Sequence, residues 1–189
     1  MPQGSSLGPL KSRDEMFSDE EGGCTVDQEK KDIVEMRQFA VPVEQVWKAW
    51  SESEGVKQWW GPDCFTCPSA EMDFREGGTS IVCMRAPKEF GGQDMYSAWA
   101  YKKIVPMQSI EFVQNLADKD GRVMEPVKLG MPPEFPMYLR TVVKFKVLGS
   151  AKTEMTVTEY EFPVCPMLAM AEIGLGQCID KMGRSFQKC

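Results

Sequence analysis

The chain has 189 residues, 42% hydrophobic and 26% charged, a balance that fits a globular protein with one well-buried core. Its formal net charge of −6, with no Lys/Arg cluster to offset it, argues against nucleic acid as a partner, because that affinity comes largely from cations neutralising phosphates. No stretch approaches the roughly 18 uninterrupted apolar residues of a membrane span, and no charged-then-apolar leader opens the chain, so the reading is a cytoplasmic protein without membrane insertion.

Residues 1–30 hold few large apolar side chains and set three basic residues against seven acidic ones, including the run Asp19-Glu20-Glu21. Such a segment cannot bury enough surface to offset its ordering entropy, and a disordered acidic tail is expected, with the folded domain over 31–189. A strand follows over 32–39. Pro42 then stands where a first helical turn tolerates proline, and Val43, Val46, Trp47 and Trp50 recur at the spacing of one helix face. A second short helix is expected over 54–60, stopped by Gly61-Pro62.

Seven cysteines, an odd count without a secretory pattern, read as reduced thiols. Cys64 and Cys67 form the one local pair, in a strand-like run before Pro68. A zinc site needs about four ligands and the chain has neither a second pair nor any histidine, so no metal and no cofactor is expected there. Two small buried or half-buried residues are the simpler reading.

From here the chain reads as strands separated by turns. Met72 and Phe74 alternate with Glu71, Asp73 and Arg75 before Gly77-Gly78, a pair suited to the positive φ of a hairpin turn. Runs at 79–85, 95–105, 109–116, 139–148 and 153–162 continue the pattern. In the fourth of these, Thr141, Val143, Phe145 and Val147 oppose Arg140, Val142, Lys144 and Lys146, the period of a sheet with one wet face. Strands without long intervening helices imply antiparallel pairing. The last segment changes period: Leu168, Ala171, Leu175, Ile179, Met182 and Phe186 form the stripe of a long amphipathic helix. Gly174 and Gly176 inside it each cost about 1 kcal/mol, which close approach, a kink or space for a ligand would justify. The fold class is therefore α+β: an antiparallel sheet of about six or seven strands around a C-terminal helix, with two short N-terminal helices.

The stretch from Arg37 to Trp50 with Trp59-Trp60-Gly61-Pro62, then Asp73 to Gly78, Tyr101-x-x-Ile104-x-Pro106, Asp118-Lys119-Asp120-Gly121 and Ile179-Asp180-Lys181-Met182, resembles the activator of heat-shock-protein-90 ATPase homologue-like family. The resemblance implies a START-related helix-grip fold with a cavity between the sheet and the last helix. Leu175 stands where family members often carry Trp, which would enlarge or reshape that cavity. The loop 122–136, with four prolines, would sit over its entrance.

Without histidine, neither a Ser-His-Asp nor a Cys-His arrangement exists in the chain, and no catalytic residue is assigned. Glu159 is the carboxylate to watch, because it shares a strand face with Met155 and Val157. Turned inward, it would have a raised pKa and serve as a ligand anchor or general base; at a twisting strand end it would meet water or an arginine. Asp73 reads as a solvated or salt-bridged sheet residue. Trp60, Trp99, Tyr101 and Phe112 are candidate pocket walls, equally good as plain core, with Gly174 and Leu175 facing them from the helix. Fourteen methionines add adaptable apolar surface. Three functions follow: binding of a small hydrophobic molecule in an internal cavity; a chaperone-associated module acting on a heat-shock chaperone's ATPase, as the resemblance implies; or a cyclase- or hydrolase-type enzyme using Glu159.

Overall fold

A computed structural model of the chain describes residues 28–187. The expected tail falls almost entirely outside those residues. Seven strands, β1 (Lys30–Phe39), β2 (Ala70–Glu71), β3 (Thr79–Arg85), β4 (Asp94–Val105), β5 (Ser109–Ala117), β6 (Leu139–Gly149) and β7 (Lys152–Pro163), form one antiparallel sheet in the order β1-β7-β6-β5-β4-β3-β2. Helices α1 (Val43–Ser51) and α2 (Ser53–Lys57) follow β1, and α3 (Met167–Ser185) ends the fold. This is the α+β helix-grip architecture the sequence implies.

Pro42 precedes α1 with φ −60°, and Val43, Val46, Trp47, Ala49 and Trp50 bury one face of it. The second helix is shorter than expected and ends at Lys57. Trp59 turns back beneath α1, where its Nε1 donates to the Ala49 carbonyl at 2.7 Å. Gly55 permits this close packing: a Cβ there would lie 2.4 Å from the Lys48 carbonyl oxygen.

The alternation at Met72 to Arg75 does not form a strand. Only Ala70 and Glu71 pair with β3, and the chain then leaves the ladder because Asp73 supplies local partners. Its carboxylate holds Arg75 through two hydrogen bonds of 2.8 and 3.0 Å, and its amide donates to Ser80 Oγ. Asp73 is thus salt-bridged as expected, but in a loop. Gly77 takes φ 77°, whereas Gly78 is needed for space, since its Cβ would fall 2.3 Å from the Asp73 carbonyl oxygen.

Two β-bulges keep charges out of the core. On β7, strict alternation after Met155, Val157 and Glu159 would turn Glu161 inward. An extra residue opposite Asp32 shifts the parity, Glu161 adopts φ 56°, and Phe162 is buried in its place. On β4, the register shift between Tyr101 and Lys103 likewise leaves both lysines outside and turns Ile104 toward Ile110.

The last helix lies along the edge strand β1. Lys31 pairs with Glu172 and Arg37 with Asp180, each at 2.8 Å, and Phe39 meets Phe186 edge-on at 5.3 Å. Covering β1 this way blunts an otherwise free sheet edge. One face of α3, Gln177, Lys181 and Arg184, also fastens the loop after α2: Gln177 Oε1 accepts from the Asp63 amide, Lys181 donates to the Gly61 and Phe65 carbonyls, and Arg184 pairs with Asp63. The helix is buried unevenly. Leu175, Gly176, Cys178, Ile179 and Met182 are buried, but no residue from Met167 to Gly174 is. Crowding requires neither Gly174, around which a Cβ would meet nothing within 4 Å, nor Gly176; Gly183, whose Cβ would come within 3.2 Å of the Phe39 ring, is the tightly placed glycine of α3.

Candidate ligand-binding site

Residues opposite one another on antiparallel strands share a face. The ladder therefore places Ile33, Glu159, Thr141, Phe112 and Tyr101 in one row across β1, β7, β6, β5 and β4, and all five are buried on the inner face. Trp99 stands one inward position along from Tyr101. Three of the expected wall residues thus share a row, and a fourth adjoins it.

The aromatic rings continue from strand to loop. Trp99 lies 5.2 Å from Phe112 and 4.8 Å, edge-on, from Trp60, which follows α2; Tyr101 lies 6.1 Å from Phe112. Trp50 and Trp59 pack on the same group. Their polar tips differ. Trp50 Nε1 donates to Met155 Sδ at 3.2 Å and Trp59 Nε1 to a backbone carbonyl, and Tyr101 Oη is 3.0 Å from Ser80 Oγ, with burial pushing its phenol pKa up to about 12. Trp60 Nε1, Trp99 Nε1 and Thr141 Oγ1 are buried and have no partner among the described residues.

Glu159 belongs to this set. Its side chain lies on the apolar face with no hydrogen bond or ion pair among the described residues, and burial alone pushes its carboxyl up to about 7. Of the two readings of this residue, the structure takes the inward one. On α3 the Cys178 thiol is likewise pushed up, to about 12, chiefly by burial. The interior around Glu159 therefore carries no compensating cation: Lys181, its ammonium pulled down by burial, is directed to the Gly61 and Phe65 carbonyls.

Leu175 is buried and Gly174 half-buried at the point where α3 rises from the core. The sequence reading missed Thr141 as the cross-strand neighbour of Glu159. Thr141 was legible as a hydroxyl on an otherwise apolar strand face. Cys64 and Cys67 are not in a strand. Cys64 is exposed in a turn at φ 70°, and Cys67 is buried, with burial the main cause pushing its thiol up to about 11. Loop 122–136 folds into a short 3-10 helix at Pro126–Leu129 and sets Phe135 edge-on to Phe162 at 6.0 Å. Two surface clefts lie elsewhere: one of about 380 Å³ between Arg37, Phe39, Asp180 and Phe186, and one of about 360 Å³ between Lys30, Tyr138, Arg140 and Tyr160. Neither contains any of the seven expected site residues.

The sequence profile of the family described as "Activator of Hsp90 ATPase homolog 1-like protein" matches residues 40–187. Comparison with curated proteins gives no significant match. Among solved structures, the chain is similar to a solution structure of a protein from Arthrobacter aurescens, with 21% identity, a TM-score of 0.70, and 87% of this chain and 92% of that one covered. It is also similar to the crystal structure of an AHSA1 protein from Silicibacter pomeroyi, at 20% identity, TM-score 0.65 and coverage of 83% and 98%. A third is a crystal structure from Chromobacterium violaceum, at 18% identity, TM-score 0.66 and coverage of 84% and 98%. At these identities the likeness is one of fold.

Proposed function

The chain belongs to the Activator of Hsp90 ATPase homolog 1-like family, and with that fold as premise we propose that it binds a small hydrophobic molecule between the inner face of its sheet and α3. One observation carries the reading: the buried Trp60 Nε1, Trp99 Nε1 and Thr141 Oγ1 have no partner among the described residues, and Glu159 joins them on the apolar face with no cation beside it there. Leaving such groups unpaired costs about 1–3 kcal/mol each, and a ligand with an apolar body and a polar handle offsets that cost. Native mass spectrometry of the full chain with a panel of apolar compounds tests this, alongside intrinsic tryptophan emission, since four of the five tryptophans lie in the cluster. Retention of a compound with a shift in emission is expected. If no compound is retained and emission is unchanged, the reading fails.

The family description supports a second reading, a module acting on an Hsp90-type ATPase. Its test is the chaperone's turnover with and without the protein, and an unchanged rate removes it. A third, general acid–base catalysis by Glu159, draws on a carboxyl poised near neutral pH. Turnover of a bound compound that persists in Glu159→Gln would end it.

A further inference from the structure

We propose that the ligand is an uncharged apolar molecule presenting hydrogen-bond acceptor oxygens, such as a ketone or ester, and neither an amine nor a carboxylate. This rests on the internal-site reading above and specifies its chemistry. The contacts around the site run in one chain. Trp60 meets Trp99, and Trp99 meets Phe112. Phe112 is the cross-strand partner of Thr141, and Thr141 that of Glu159. Strands are about 4.8 Å apart, so Thr141 and Glu159 are side by side in one inner row, and the two unpartnered indoles adjoin that row through Phe112.

Their donor and acceptor capacities select the ligand. An indole N–H only donates, and a hydroxyl donates as readily as it accepts. Two and preferably three of the four groups thus ask for acceptors. Glu159 joins them as a donor when it holds its proton, which its desolvated position favours near neutral pH. An ammonium could pair with Glu159 but would leave both indoles unsatisfied. A carboxylate ligand would need a cation, and none of the described residues brings one to the site. β1 presents Ile33 and β6 presents Thr141 to Glu159. The inward charged pair of β1, Glu35 and Arg37, is closed on itself at 2.7 Å and on Asp180, Cys178 is a neutral thiol, and Lys181 is taken up by two carbonyls.

Three probes of one chain length, 2-dodecanone, dodecylammonium and dodecanoate, separate the possibilities when titrated against the full-length protein at pH 7 by tryptophan emission and native mass spectrometry. The ketone should bind at least about tenfold tighter than either ion, the weight of one to two hydrogen bonds in a dry site. Thr141→Val should lower ketone affinity by about fivefold or more while leaving the weak ion binding unchanged. Glu159→Gln, which keeps a donor of similar shape, should retain the ketone, so one informative variant remains if Thr141→Val does not fold. Tightest binding of dodecylammonium, lost in Glu159→Gln, would overturn the inference and leave the internal site standing; tightest binding of dodecanoate would do the same. Failure of all three probes to bind would overturn both.

Discussion

At the scale of single residues, Glu159 dominates the energetics because its carboxyl is buried with nothing to pair it. Its pKa rises from 4.5 to about 7, so between those values the native protein keeps a proton that the unfolded chain releases. Stability is therefore unaffected by this group below about pH 4.5, declines as pH rises through the window, and is lower by roughly 3 kcal/mol above pH 7. Glu159→Gln removes the ionisation. Urea denaturation at pH 4, 6 and 8 should show the two proteins sharing one slope at pH 4, apart from any constant offset, with the variant gaining about 3 kcal/mol relative to the parent by pH 8. Parallel pH profiles would mean that Glu159 reaches water or a counter-ion. The cysteines offer a second check on the same packing. Cys64 is exposed, whereas Cys67 and Cys178 are buried with thiols pushed up to about 11 and about 12. Brief alkylation at pH 7.5 followed by peptide mapping should modify Cys64 well before Cys67 or Cys178, since the thiolate is the reactive form. Equal labelling would place α3 and the Cys67 loop away from the core. Period-2 alternation raised the inward position of Glu159 as one of two readings, and only the tertiary packing decides for it. The bulge two residues later, which saves Glu161 from the same fate, was not legible, because a single inserted residue leaves no composition signal.

At the scale of elements, the junctions carry more information than the strands. Strands β3 to β7 were readable to within about a residue because turn residues bound each run, and in β5, β6 and β7 because much of the strand also alternates against water. The segment Met72 to Gly78 was misread for the same reason: it alternates too, but Asp73 offers its own backbone and Arg75 closer partners than a neighbouring strand does. The length of α2 was overestimated because Trp59 is apolar at helical spacing yet is buried by turning out of the helix. Gly55 makes the α1–α2 junction testable. Gly55→Ala would set a methyl against the Lys48 carbonyl and the Ala49 Cα, at 2.4 and 2.8 Å, both backbone atoms that cannot swing aside. The expected loss is about 1–3 kcal/mol by chemical denaturation, the usual penalty of overpacking, despite alanine's better helix propensity. An unchanged or increased stability would show that α2 shifts freely. Lys181→Met at the other junction frees the Gly61 and Phe65 carbonyls, costing roughly 1–2 kcal/mol and speeding amide exchange across 61–65 more than in β6 or β7.

At the scale of the whole molecule, what matters is how α3 is held. The amphipathic stripe of the last segment correctly implied a helix lying on the sheet, but a stripe that runs evenly from Leu168 to Phe186 says nothing about where the helix is gripped. In the structure the grip is one-sided. Leu175, Cys178, Ile179 and Met182 are buried, and the Gln177, Lys181 and Arg184 face is tied to the loop after α2, while the first two turns keep Met170 and Ile173 exposed at 65% and 61%. Each buried apolar side chain contributes about 1.5–3 kcal/mol, so the second half of α3 is held more firmly than the first, which rests on the half-buried Leu168 and Ala171 and the Lys31–Glu172 pair. Backbone amides in the first two turns should therefore exchange faster than those from Leu175 onward, by a factor set by local opening and not by global unfolding. A molecule bound beneath the helix gives the first half a further surface to rest on. At 100-fold excess over its dissociation constant, 2-dodecanone should stabilise the fold by about 2.7 kcal/mol, a rise in Tm of roughly 5–10 °C for a domain of this size. The added protection should concentrate in 167–174. A thermal shift with uniform protection, or protection confined to the outer cleft between Lys30 and Tyr160, would place the ligand outside the sheet's inner face and detach the one-sided grip from binding.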